Sequence, residues 1–149
     1  MRAVIQRVNQ ASVSINNKVV ARINKGLLIF LGVAKGDASE QARYLAKKIL
    51  ELRIFNDQNR KMNLCAEETK AGLLVVSQFT LCANINSGRR PSFDPVANSA
   101  LAEKLYLEFI NHLKGSHLRV EQGIFKEYMA VDIENDGPVT FILDSEVEK

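Results

Sequence analysis

Apolar and polar positions change their period several times along this chain, and each change predicts an element. Ala11, Val13 and Ile15 alternate with Ser12 and Ser14, the two-residue period of a strand with one buried face. Asn16-Asn17 follows, two residues that tolerate positive φ, and alternation resumes at Val19, Ala21 and Ile23, which predicts a hairpin with a tight turn. Asn24-Lys25-Gly26 then leads into residues 27–31, a run too apolar to keep a wet face and therefore expected as a central strand. The period next becomes helical. Asp37-Ala38-Ser39-Glu40 has the form of a capping box, and Ala42, Leu45, Ala46, Ile49 and Leu50 share one helix face. Asn56-Asp57-Gln58-Asn59 reads as a turn, and residues 73–76 as a second fully apolar strand running into Ser77-Gln78-Phe79-Thr80-Leu81. After a loop over residues 84–93, Asp94 is expected to cap a second helix with Pro95 in its first turn. Ala97, Ala100, Leu101, Leu105, Phe109, Ile110 and Leu113 would form its buried stripe, and Gly115 its end. Strands over 128–133 and 139–143, joined by Asn135-Asp136-Gly137-Pro138, complete an α+β order rather than a regular βαβ alternation.

Composition narrows this little. The 149 residues, 46% hydrophobic and 25% charged, suit one globular domain over residues 1–149, with the last four a possible tail. A domain of this size buries roughly 70% of its unfolded surface and needs neither disulfides nor a structural metal. No apolar run reaches the ~18 residues of a membrane span. The N-terminus is polar by its second residue, so no signal peptide is expected and a cytoplasmic location is. Charge is split along the chain. Eight acids against two bases from Glu121 onward give −6, so with an overall +3 the first 120 residues carry +9. Such a split marks either a basic face for a polyanion such as RNA or a scatter over solvated surface. Cys65 and Cys82 lack metal-site spacing, and His112 and His117 straddle Gly115, so no metal and no imidazole base is expected.

Phosphate-binding glycine loops and the G-x-S-x-G elbow are both absent. Two segments stand out instead. Ser77 to Leu81 places polar residues just after a buried strand, where backbone N–H groups become free for a ligand or the hydroxyls satisfy local backbone groups. Gly137-Pro138 sits where a proline cannot serve a sheet ladder, in an ordinary turn or a tight cis one.

Taken together, Ser77-Gln78-Phe79-Thr80-Leu81 and Asn135-Asp136-Gly137-Pro138-Val139-Thr140 resemble the two signature motifs of the D-aminoacyl-tRNA deacylases, also called D-tyrosyl-tRNA(Tyr) deacylases. Val4-Ile5-Gln6-Arg7-Val8, Ala11-Ser12-Val13, Arg53-Ile54-Phe55, Lys61-Met62-Asn63 and Arg90-Pro91-Ser92-Phe93 extend the resemblance over about residues 1–144. The expected architecture is a single compact α+β domain, with mixed and antiparallel sheets in a barrel-like arrangement and two main helices.

The resemblance implies a homodimer that hydrolyses the ester between a D-amino acid and the 3′-terminal ribose of tRNA, without a cofactor, as chirality proofreading in translation. Gly137-Pro138 would carry a cis bond and reach into the partner subunit's pocket. A rigid backbone wall there would exclude L-residues by clash, while glycyl-tRNA mischarged on tRNA(Ala) would pass. Arg7 would hold that loop in place, unless it is an ordinary surface arginine of its strand. Ser77, Gln78, Phe79 and Thr80 would form the catalytic segment, with Gln78 and Phe79 holding the terminal adenosine; Phe79 would equally suit a core position. Two mechanisms stay open. Either Thr80 is a nucleophile, with no activating base beside it in sequence, or backbone N–H groups around Phe79 and Thr80 bind the oxyanion while the ribose 2′-hydroxyl assists water. One departure is visible: relatives commonly have a basic residue before the loop glycine, where this chain has Ser87, and Arg89 and Arg90 would have to compensate. The competing classes are a catalytically inactive tRNA- or nucleotide-binding module and an esterase for small D-amino-acid esters.

Overall fold

The structure, a computed structural model, describes residues 1–86 and 88–145. Ser87 and the tail 146–149 lie outside the described residues. In chain order the elements are β1 (Arg2–Ile15), β2 (Lys18–Ile23), β3 (Gly26–Gly32), α1 (Ser39–Glu51), β4 (Phe55–Asn56) and β5 (Met62–Leu64). There follow α2 (Ala66–Thr69), β6 (Gly72–Ser77), a 3₁₀ turn (Phe79–Cys82), α3 (Ser99–Lys114), β7 (Val120–Gln122) and β8 (Ala130–Asp144). β1 is the spine. Its first half pairs antiparallel with β3, its second half with β2, and nearly all of it with β8 on the opposite edge. β3 continues the sheet in parallel to β6, and β6 to β7, giving a mixed sheet that curls almost into a barrel.

Two cores explain why residues 27–31 and 73–76 have no polar face. Leu27, Ile29, Leu31, Leu73 and Val75 pack against Leu45, Ile49, Leu105 and Phe109 of α1 and α3. The alternate residues Leu28, Leu74 and Val76 point the other way, among Val8, Val13 and Ile23 inside the curl. Each such side chain is worth about 1.5–3 kcal/mol when buried, so both strands are pinned in register from two sides. Tyr106, inside the helix-side core, donates its hydroxyl to Val75 O at 3.0 Å, and burial pushes its phenol pKa up.

Several expectations hold and several shift. Asn16 and Asn17 take φ of 50° and 62° and close the β1–β2 hairpin as expected. The α1 cap is one residue later than expected: Gln41 Oε1 accepts the Ala38 N–H at 2.9 Å. Asp37 is occupied elsewhere, 2.6 Å from the Met1 ammonium and accepting the Ala34 N–H at 2.6 Å. The second helix starts later too. Asn98, not Asp94, caps it by accepting the Leu101 N–H, while Pro95 gives its carbonyl to Lys35 N–H across the fold. That delay rotates the stripe, so Ala102 and Tyr106 are buried and Ala100 is exposed. Gly115 does end the helix, in a right-handed conformation, and the left-handed residue is His117. The two final strands are one continuous strand, β8, because both halves pair with the same neighbour, β1. β7 has no signature in the sequence, since three residues are too few to show a period.

Candidate active site

Where β6 ends, the sheet's last hydrogen bonds decide which amides are left over. Ser77 is in register with Leu31, and Gln78 N–H donates to Leu31 O at 2.8 Å. The chain then winds into the 3₁₀ turn, whose first bond runs from Leu81 N–H to Gln78 O at 3.3 Å. The N–H groups of Phe79 and Thr80 come ahead of that bond, and opening amides of a helical turn have no acceptor within it. Gln78 Nε2 donates to Thr80 Oγ1 at 2.5 Å. A carboxamide takes up no proton, so the side chain nearest the threonine hydroxyl is no base. Phe79 is 53% exposed, with its ring 5.2 Å from Phe93, so it is not a core residue. The Cys82 thiol is pushed up by burial, away from the thiolate form a nucleophile needs.

Beside the turn lies a cleft of about 580 Å³. Ser77, Gln78 and Phe79 line one wall, Val76 and Ala102 lie among its apolar residues, and Met129 comes from the segment before β8. Lys126 and Glu127 line it as well. A largely apolar hollow with a few polar groups is the usual form of a small-molecule site, and the size accommodates a nucleoside. Neither histidine lines it. Among the described residues no three His, Cys, Asp or Glu side chains group closely enough to hold a metal.

Arg7, Gly137 and Pro138 come together at a second place. Val8 pairs with Asn135 and Gln6 with Thr140, so residues 136–139 of β8 bulge out opposite Arg7. The Gly137–Pro138 bond is cis, and Gly137 has φ of 131°. Asn135 ties the two ends of the bulge by donating to Arg7 O at 3.0 Å and to Val139 O at 3.2 Å. Arg7 is only 5% exposed, which removes the reading of a surface arginine. Its Nη1 donates to Ile54 O at 2.7 Å and Asn56 Oδ1 at 3.2 Å. Its Nε stands 3.0 Å from Asp136 Oδ2, an ion pair lying off the line of a hydrogen bond. A methyl group on Gly137 would come 3.1 Å from Arg7 Nη2, so the guanidinium backs directly onto the loop.

These two places are not adjacent within one chain. Three strand spacings and about four residues separate Gly137 from Ser77, roughly 20 Å along the sheet. Gly137, Pro138 and Arg7 do not line the cleft, and Thr80 stands just outside it. In the sequence Phe93, Asn135 and Asp136 stand only as members of segments that resemble the family, and Asn56 only as a turn residue; the fold alone brings Asn56 to Arg7.

The D-Tyr-tRNA(Tyr) deacylase family profile matches residues 4–144. A D-aminoacyl-tRNA deacylase of Dictyoglomus turgidum is 51% identical over 146 residues, 98% of this chain and 94% of that protein. One of Fervidobacterium nodosum is 50% identical over 145 residues, 97% of each chain. Among solved structures, the c-Myc DNA Unwinding Element Binding Protein superimposes with a TM-score of 0.93 at 34% identity, covering 99% of this chain and all 100% of its own. A probable eukaryotic D-amino acid tRNA deacylase shares the fold with a TM-score of 0.81 at 20% identity, over 95% of this chain and 97% of its own.

Proposed function

This chain belongs to the D-Tyr-tRNA(Tyr) deacylase family, and on that premise we propose that it releases D-amino acids from tRNA by hydrolysing the ester to the 3′-terminal ribose. It is a hydrolase acting on carboxylic ester bonds. The observation that carries the mechanism is the pair of leftover amides, Phe79 and Thr80, beside a nucleoside-sized cleft, with a carboxamide rather than a base hydrogen-bonded to the Thr80 hydroxyl. The terminal adenosine fills the cleft, and the ester carbonyl oxygen points at those two N–H groups. Water adds to the carbonyl carbon, and the negative charge that develops on the oxygen is held by donors already in place. The bond to the ribose 3′-oxygen then breaks, that oxygen takes a proton, and the ribose 2′-hydroxyl holds the attacking water. Thr80 acts through its backbone.

Chirality is set by a second subunit. Gly137-Pro138 lies roughly 20 Å along the sheet from Ser77 of its own chain and does not line its cleft; it completes instead the pocket of a partner in a two-fold dimer. Two features support that dimer. The outer edge of β8 has no partner strand among the described residues, and β8 exposes Ile133, Phe141 and Ile142. A free edge of this length is uncommon in a monomer. Main-chain atoms of the loop face the substrate's α-carbon, admit hydrogen on that side and clash with an L side chain. Glycine has no side chain to reject, so glycyl-tRNA mischarged on tRNA(Ala) is also hydrolysed. The enzyme acts in the cytoplasm as a proofreading step of translation.

Hydrolysis of D-tyrosyl-tRNA, L-tyrosyl-tRNA and a D-tyrosine alkyl ester, with sedimentation at the assay concentration, tests this reading. Turnover of the first substrate alone by a dimer is the expected result. Comparable rates on D- and L-tyrosyl-tRNA, or an active monomer, would refute the filter. Efficient turnover of the simple ester would point to a general D-amino-acid esterase, and no turnover at all to a binding module.

A further inference from the structure

We propose that Gly32 is a positioning residue for ester hydrolysis: its missing side chain sets the height of the turn that presents the Phe79 and Thr80 amides. The inference rests on the reading that those amides face the ester carbonyl. Gly32 is the last residue of β3, buried and paired with Arg2. Its neighbour Leu31 accepts the Gln78 N–H at 2.8 Å, so the end of β3 and the start of the turn are already in contact. A Cβ on Gly32 would fall 2.9 Å from Gln78 O, 2.9 Å from Cys82 Sγ and 3.1 Å from Leu81 Cβ. Gln78 O is the acceptor of the turn's first bond, from Leu81 N–H at 3.3 Å. The glycine therefore lies directly beneath the carbonyl that closes the turn.

Backbone freedom is not the reason for this glycine. Gly32 sits in a regular strand and its φ lies outside the left-handed region, so alanine meets no conformational strain there. Space is the reason. Two of the three close atoms belong to the turn's backbone or to a Cβ, which move only with the turn itself. Restoring ordinary van der Waals contact would lift Gln78 O by about 0.5 Å and carry the next two amides with it. The cleft residues Val76, Ala102 and Met129 are not among those close neighbours, so that part of the cleft stays in place while the wall formed by Gln78 and Phe79 shifts with the turn. A displacement of 1 Å at a reacting centre costs on the order of 10²-fold in rate, so half of that costs about tenfold.

The test is Gly32→Ala, assayed on D-tyrosyl-tRNA with rates normalised to folded protein, together with ¹H–¹⁵N spectra of the free enzyme. The expected result is a kcat lower by about tenfold, with any rise in KM smaller than the fall in kcat, and amide resonances displaced at residues 78–82. Adding Cys82→Ala removes the sulfur from the contact and should restore part of kcat. If Gly32→Ala alone does not fold, Gly32→Ala with Cys82→Ala gives the same readouts against Cys82→Ala alone. An unchanged kcat, or a lowered kcat with the Phe79 and Thr80 resonances unmoved, would overturn the proposal. Wild-type protein inactive on D-tyrosyl-tRNA would instead sink the deacylase reading on which it rests.

Discussion

Adding one methyl group at Gly137 should either lower the melting temperature or cut the rate, without touching any candidate catalytic group. Gly137 has φ of 131°, a region that L-residues rarely enter. A Cβ there would lie 2.7 Å from Val139 Cγ2, 2.9 Å from Val139 N and 3.1 Å from Arg7 Nη2. The valine methyl can rotate away, but its backbone nitrogen cannot. Holding alanine in such a conformation costs about 1–3 kcal/mol. In a domain of this size each kcal/mol lowers Tm by about 2–4 °C, so Gly137→Ala should melt about 2–12 °C below wild type. If the loop instead relaxes, it loses its place against Arg7, and in the proposed dimer a shift of order 1 Å costs about 10²-fold in deacylation. Calorimetry and single-turnover hydrolysis of D-tyrosyl-tRNA measure both branches. Arg7→Ala attacks the same loop from behind, stripping Ile54 O of its donor and Asp136 of its counter-charge. The charge-assisted bond to Ile54 O alone is worth about 1.5–3 kcal/mol. Because the two changes act on one contact, their effects on rate should be less than additive. Wild-type Tm and wild-type rate in Gly137→Ala would refute the reasoning, and strict additivity would show that Arg7 does not support the loop.

Thr80→Ala should keep most of its activity, since the main-chain donor is unchanged; abolished turnover with a trappable acyl-enzyme would establish the threonine nucleophile instead. A tRNA ending in 2′-deoxyribose, with the amino acid on its 3′-oxygen, should react on the order of 10²-fold more slowly, and normal rates would exclude help from the 2′-hydroxyl. Activity should survive exhaustive chelation, because no three metal-ligating side chains converge among the described residues; a stoichiometric metal that restores lost activity would contradict this. The Asp57 carboxylate accepts N–H bonds from Lys61 and Asn59, which hold its pKa below the usual value of 3.8. Its contribution to the β4–β5 hairpin is therefore present above that value and lost as pH falls through the lowered folded pKa. Amide-exchange protection at Lys61 should decline on acidification in wild type and not in Asp57→Ala.

Much of this protein is legible in its residue order, for a local reason. Alternation around Asn16-Asn17, the unbroken apolar runs of β3 and β6, and the helical period after Ser39 are set by side-chain direction along a single element. The motifs at Ser77 to Leu81 and Gly137-Pro138 are local as well, and they were enough to point to the family. Helix starts were less legible, because capping is a competition. Asp37 could cap α1 but is held by the Met1 ammonium, and Asp94 loses α3 to Asn98. Neither outcome can be read from neighbours in sequence.

What only the tertiary structure decided is where these local pieces meet. The order of residues marked the Gly137-Pro138 segment, but the pairing of both its flanks with β1 made it a bulge in one strand rather than a turn between two. It marked Arg7, but burial against Ile54, Asn56 and Asp136 turned a residue in an alternating strand into the support beneath that bulge. It marked Ser77 to Thr80, while the closing of the sheet at Leu31 selected which amides open the turn without an acceptor inside it. Hydrophobic period reports the face a residue turns toward and nothing about what waits on that face. Partners 47 or 128 residues away, such as Ile54 O and Asn135 Nδ2 for Arg7, enter only when the chain has closed on itself.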